Sequence, residues 1–169
     1  MKKLLCLLTA VSLLLCASAC GKDNGNGNDG SQDTSASQKV SMSCADIYNN
    51  QIASVITLPE MVSVKEKALS NTYGIDSSMY TDYVFMTAQE ATLADTVIII
   101  KATNPESVSQ ITDKLNNFIT MSLNTSVDYN PDQYEIVRKA SVKTEGDFVY
   151  LVFSKDMDTI ENIIKGALS

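Results

Sequence analysis

From residue 42 onward the chain switches between two apolar spacings, one of 3–4 residues and one of short unbroken blocks. Cys44, Ile47, Tyr48, Ile52, Val55 and Ile56 fall mainly on one helical side. With Ser43 placed to cap and Asp46 three residues on, they predict a helix over 44–57, which Pro59 ends by forcing Leu58 toward extended geometry. A second helix is predicted over 64–72, closed by Gly74 and followed by a turn at Asp76-Ser77-Ser78. Two strands follow, 82–88 and 94–102. The block Val97-Ile98-Ile99-Ile100 is β-branched and does not alternate, so it predicts a central strand buried on both faces.

The longest periodic segment is 105–122, with Pro105 in its first turn and Val108, Ile111, Leu115, Phe118 and Ile119 at helical spacing. A loop is expected over 123–133. Beyond it the runs EIVRKASVKTE and DFVYLVFSK read as two strands joined at Glu145-Gly146-Asp147, a hairpin signature. A last helix over 156–168 carries Met157, Ile160, Ile163, Ile164, Ala167 and Leu168 on one stripe, with Asp156 and Asp158 near its positive end. The order α-α-β-β-α-β-β-α predicts an α+β fold, a two-layer sandwich of a mostly antiparallel four-stranded sheet covered by helices. A ferredoxin-like βαββαβ order does not match it, and the strand order stays open.

The N-terminal pattern is of another kind. Lys2 and Lys3 precede an apolar run from Leu4 to Cys16, then Ala17, Ser18, Ala19 and Cys20. The run is about 13 residues, or about 20 Å of helix, short of the roughly 20 residues that span a bilayer. The order of charged, apolar and small residues is that of an export signal over 1–19. A cysteine directly after small residues, with Gly21 behind it, resembles the lipobox of bacterial lipoproteins, whose cysteine is diacylated. Ala17 departs from that pattern, since a branched aliphatic is usual there. An ordinary signal peptide cut after Ala19 is the competing reading. The resemblance implies lipidation of Cys20, a palmitate-type lipid anchor in the cell membrane and a chain facing the extracytoplasmic side. Residues 20–41 add the anchor cysteine and a Gly/Asn/Asp/Ser-rich stretch with Val40 as its single large aliphatic. That composition predicts a flexible tether with a span near 25 Å. Residues 42–169 are then one domain.

Composition narrows the chemistry. The chain holds 13 basic and 20 acidic residues, a net charge of −7. Without Lys2 and Lys3 the net becomes −9. With no basic stripe, nucleic acid is not an expected partner. There is no histidine, which removes the usual neutral-pH base and the commonest metal ligand. Of four cysteines only Cys44 lies beyond the signal and anchor, so neither a disulfide framework nor a zinc site is expected. Cys44 reads as a small buried hydrophobe, with a reactive thiol at a helix start as the sharper alternative. Asp128, Asp132 and Glu135 offer oxygens for calcium, but their spacing fits no EF-hand, and Asn130-Pro131 makes a plain turn. Lys101 reads as a solvated strand end. No cofactor is expected.

Seven tyrosines are the remaining signal. Tyr73 and Tyr80 cluster with Tyr83 around the Gly74 turn, and Tyr129 and Tyr134 flank Pro131. Tyrosine pairs an apolar body with a polar tip, so Tyr73, Tyr80, Tyr129 and Tyr134 form the candidate ligand-binding set.

In order, Leu58-Pro59-Glu60-Met61, Tyr73-Gly74-Ile75-Asp76, Ile99-Ile100-Lys101-Ala102, Pro131-Asp132-Gln133-Tyr134-Glu135 and the strand from Gly146 to Phe153 resemble the DUF4358 lipoprotein family of Clostridia and related Firmicutes. The resemblance covers about residues 44–168. It implies a membrane-tethered extracytoplasmic domain and carries over no site residue. The expected role is a non-enzymatic binding or scaffold module whose partner, besides the membrane, is an envelope protein or a small ligand. A cell-envelope hydrolase using surface carboxylates is the alternative.

Overall fold

The computed structural model describes residues 42–126 and 130–169. The signal segment, Cys20 and its tether, Asp128 and Tyr129 lie outside the described residues. The elements run α1 (Cys44–Asp46, continued by a π-helical segment Ile47–Ile52), β1 (Met61–Ser63), α2 (Glu66–Tyr73), a 3-10 turn (Ser77–Met79) and β2 (Tyr80–Ala88). They continue with β3 (Thr96–Ala102), α3 (Pro105–Ser126), α4 (Pro131–Lys139), β4 (Lys143–Glu145), β5 (Phe148–Phe153) and α5 (Met157–Leu168).

The sheet has five strands in the order β1-β2-β3-β5-β4, and every neighbouring pair is antiparallel. This corrects the expected four-stranded sheet. The added strand is β1, three residues long, paired through Met61–Ala88 and Ser63–Met86. So short a segment carries no readable alternation, which is why the pattern missed it.

Two layers are also too few. Val97, Ile98, Ile99 and Ile100 of β3 are all fully buried, as the unbroken run predicts. Successive residues of a strand point to opposite faces, so each face of β3 needs its own cover. On one face Phe85, Ile98, Ile100, Leu151 and Phe153 pack with Leu69 of α2, Ile111 and Leu115 of α3 and Val137 of α4. On the other, Val84, Val97, Ile99, Tyr150 and Val152 pack with Ile47 and Ile52 of α1 and Ile160 and Ile164 of α5. The fold is a helix–sheet–helix arrangement of three layers.

Local signals account for most element ends. Gly74 takes φ 66°, its N–H donates to the carbonyls of Leu69 and Ser70, and Ile75 N donates to Leu69 O. That left-handed closure suits glycine. The β4–β5 hairpin turns at Gly146, φ 55°, where it was expected. In the segment read as a loop and then a strand, 123–126 end α3, Pro131–Lys139 forms α4, and the strand is confined to Lys143–Glu145. Asn130 Oδ1 accepts from Gln133 N, Pro131 opens the helix, and Arg138 pairs with Glu135 at 2.7 Å. Cap, N1 proline and an i,i+3 ion pair together outweigh the strand preference of Ile136-Val137.

α1 is shorter than predicted. Its second half winds as a π-helix, with Ala53 N donating to Tyr48 O at 2.8 Å. The wider turn keeps Ile47, Tyr48 and Ile52 inward and ends the stripe early, leaving Val55 68% exposed. Ser43 Oγ accepts from Asp46 N at 3.1 Å and donates to Asp46 Oδ2 at 2.7 Å. The first helical N–H, on Cys44, donates to Asp82 Oδ2 of β2 at 2.7 Å. A strand residue therefore caps the helix. Asp82→Ala is expected to lower unfolding stability by about 1 kcal/mol, near the usual loss for a removed N-cap acceptor. Asp82→Asn, which keeps an acceptor, should lose clearly less. Urea denaturation of the three proteins measures both.

Candidate functional site

Three cross-strand rows explain where this fold leaves room. On the face covered by α2, α3 and α4, Tyr83, Ile100 and Val149 stand in one row, and Phe85, Ile98 and Leu151 in the next. Both rows are filled with bulky side chains. The third is Thr87, Thr96 and Phe153. Two threonines replace large hydrophobes there; Thr96 is itself buried, while Thr87 stays partly exposed at the edge of the space beside α3. The result is a cleft of about 910 Å³, within the range of small-molecule sites.

Its walls come from four places. α3 contributes Lys114, Asn117, Phe118, Met121, Ser122 and Thr125, all on one face of the helix at spacings of 3, 1, 3, 1 and 3. The end of α2 gives Asn71, Thr72, Tyr73 and Gly74. The β2–β3 connection supplies Ala91 through Ala94, and the start of α4 supplies Asn130 and Gln133. The apolar part is an aromatic chain. Phe118 stacks on Phe153 at 5.4 Å between centroids, and Tyr73 meets Phe118 edge-on at 5.2 Å. Around it stand hydroxyls and amides. Met121 lies on the rim, 61% exposed. Among the described residues, Lys114 is the one charged side chain of the lining, and no carboxylate faces the cleft.

Two side chains fasten the connection that forms one wall. Gln133 Oε1 accepts from Ala94 N at 2.7 Å, and Asn130 Nδ2 donates to Thr92 O at 3.2 Å. Thr96 Oγ1 donates back to Ala94 O at 2.9 Å. The connection is thus hung from the start of α4.

The tyrosine set is only partly brought together. Tyr73 lines the cleft, and burial pushes its phenol upward. Tyr80 stands at the opposite end of β2, packed edge-on against Tyr83 at 5.0 Å. Its hydroxyl is buried with no hydrogen-bond partner among the described residues, and burial, then Glu66, raise its pKa. Tyr134 is half-buried on α4 and lines neither described cleft. Tyr129 lies outside the described residues. Beside Tyr73, the main cleft is lined by Thr87 and Thr96 of the sheet and by the polar face of α3. The readable signals were Thr87 and Thr96 at inward strand positions two residues from Phe85 and Ile98, and Asn117 and Ser122 beside an apolar stripe.

A second, smaller cleft of about 560 Å³ lies between the end of α1 and β1, lined by Tyr48, Val55, Ile56, Leu58, Pro59 and Met86 among others. It too has no acidic lining among the described residues. The carboxylates expected of a hydrolase stand elsewhere. Asp95 is nearly buried, and that burial raises its pKa against a hydrogen bond from Ser154. Burial also raises Glu161, on α5. Glu135 is held low by the hydrogen bond from Arg138 on the same helix. No group of three or more acidic or cysteine side chains is gathered to hold a metal among the described residues. Cys44 is fully buried, and burial followed by the nearby Asp82 carboxylate pushes its thiol strongly up. It is a packing residue, not a nucleophile. Lys101 lies over the Phe148 ring, 5.5 Å from its centroid.

The chain is thus a three-layer domain with one broad, amide- and hydroxyl-rimmed cleft. It belongs to the DUF4358 family, a domain of unknown function, whose model matches residues 54–154. The match spans all five strands and stops short of α1 and α5, narrower than the 44–168 expected. No curated protein and no solved structure matches the chain.

Gln133→Ala should free the Ala94 N–H and loosen the wall. The expected readout is a stability loss of about 1 kcal/mol in urea and a rise in amide hydrogen exchange at Ala94 well beyond the roughly fivefold that this loss alone produces at Ile98. A rise at Ala94 no larger than that at Ile98 would show that the connection is held by other means.

Proposed function

We propose that this domain is a non-enzymatic binding module whose ligand occupies the cleft over the Thr87–Thr96–Phe153 row, and that it is held at the outer side of a cell membrane by lipid on Cys20. The observation that carries the first part is the cleft itself, which opens beside the partly exposed Thr87 and above the buried Thr96 and Phe153. A leucine-sized side chain at Thr87 would be worth about 1.5–3 kcal/mol of burial, and threonine leaves that gain unused. The aromatic floor supports apolar contact, and the surrounding amides and hydroxyls support orientation of a polar ligand. Both clefts lack paired acids among their described lining residues, which favours binding over carboxylate hydrolysis.

The anchor reading rests on the order Lys2-Lys3, apolar run, Ala17-Ser18-Ala19, Cys20. Among the described residues no helix is long and apolar enough to cross a membrane. A lipidated cysteine supplies attachment without one, and two acyl chains hold where a single chain is marginal. The lipoprotein character of the resemblance supports the same assignment.

Two measurements test this. Fragment screening by amide chemical shifts on residues 39–169 should give hits whose shifts cluster at Thr87, Thr96, Asn117 and Phe118; shifts that scatter, or cluster elsewhere, remove the cleft from the proposal. For the anchor, palmitate label fed to expressing cells should enter the protein and disappear in Cys20→Ser. Label retained in that variant would refute lipidation at Cys20.

A further inference from the structure

Resting on the cleft reading, we infer that its ligand is a small, elongated amphipathic monoanion, with its anionic head at Lys114 and its apolar or aromatic body over Phe118 and Met121. Shape, polarity and charge each contribute.

The α3 face runs from Lys114 to Thr125 along the cleft. Eleven steps at about 1.5 Å make it roughly 16 Å long. Lys114 stands near one end, beside the close of α2. Asn130 and Gln133 stand at the other, where α4 begins. Phe118 and Met121 lie between, over Phe153 of the sheet. The two ends differ in charge and the middle is apolar. That gradient fits a ligand with a head and a body, and is wasted on a compact or uniformly polar one.

Lys114 has an unusual setting. Its Nζ lies 3.1 Å from the place a Cβ would take on Gly74, so the ammonium rests against the left-handed turn that closes α2. A side chain there would press on the ammonium, and glycine leaves it room. The C-terminal end of a helix carries partial negative charge and favours a cation. It does not neutralise one. Among the described residues, the one ion pair joins Arg138 to Glu135, and Lys114 has no carboxylate partner. An ammonium carries three donors, and the turn stands on one side of it only. Its charge and the remaining donors are left for a ligand.

The overall charge is a check on this. A net of −7 repels anions at long range. At physiological salt the screening length is about 8 Å, so the distant carboxylates are damped while a contact with Lys114 is not. Among the described residues, the lining of the cleft holds no carboxylate to oppose that contact.

The experiment uses the full chain, which has no tryptophan. Thr120→Trp, on the exposed side of α3 and outside the lining, gives a single energy donor beside the cleft. Anilinonaphthalene sulfonate serves as the amphipathic monoanion, and phenylnaphthylamine as its uncharged counterpart. Tryptophan-sensitised emission is strongest for probe bound near α3, because transfer falls steeply with distance. With the monoanion, Lys114→Met in the Thr120→Trp background should bind about tenfold more weakly, the loss of one charge-assisted contact. Lys114→Arg should stay within about twofold. The uncharged probe should bind both variants as it binds the parent. Equal binding of the sulfonate to parent and Lys114→Met, with the uncharged probe still bound, overturns the anionic head and leaves the cleft reading standing. Loss of both probes together in Lys114→Met also overturns it, because the lysine would then be structural. Absence of sensitised emission from either probe in the parent removes the cleft reading as well.

Discussion

Everything in this fold answers to the burial of β3 on both sides. Val97 through Ile100 place four branched aliphatics on alternate faces, all shielded from water. Each fully buried side chain of this kind is worth about 1.5–3 kcal/mol relative to exposure. Leaving either face uncovered would forfeit two of them and expose their neighbours on β2 and β5. The helices therefore divide into two groups. α2, α3 and α4 cover one face, while α1 and α5 cover the other. The two short edge strands, β1 and β4, complete the sheet without adding much core.

Within that constraint the two faces are used differently. The α1/α5 side is packed along the rows through Val84, Ile99 and Tyr150 and through Val97 and Val152. The α3 side is packed at Phe85, Ile98 and Leu151 and opened two residues further along β2, at Thr87, with Thr96 buried beside it. One helix serves both purposes. Ile111 and Leu115 of α3 close the core, and the same helix presents Asn117, Met121 and Thr125 to the opening. The cleft is thus a local change of residue size on an otherwise filled face, and its rigidity comes from the core beneath it.

The long periodic elements were legible in the sequence. α3, α5, β2, β3 and the Gly146 hairpin all appear close to their expected places, because each carries several residues of a strong period or a turn residue with one conformational use. The layer count was misjudged although the Val97–Ile100 run already demanded two covers. Sheet membership of Met61–Ser63 depends on its partner at Met86–Ala88, more than twenty residues away, and no local pattern encodes it. α4 was hidden because only Val137 of its nine residues is fully buried, so its apolar stripe is thin. The candidate site was harder to read. Of the expected tyrosines among the described residues, Tyr73 lines the main cleft, Tyr80 packs against Tyr83 and Tyr134 lines neither described cleft. The cleft opens beside Thr87, a small residue where its neighbours on the same face are large, and smallness shows only against the neighbours that the register supplies.

The Asp82–Cys44 bond also has a mechanical meaning. The described chain enters at Met42, and two residues later the first helical N–H is tied to β2. A pull arriving from the preceding residues meets that bond and the buried Cys44 and Ile47 before it reaches the rest of α1. β2 is in turn paired to β3 over most of its length. The entry to the domain is therefore tied to a strand that neighbours the central one, on the face away from the cleft.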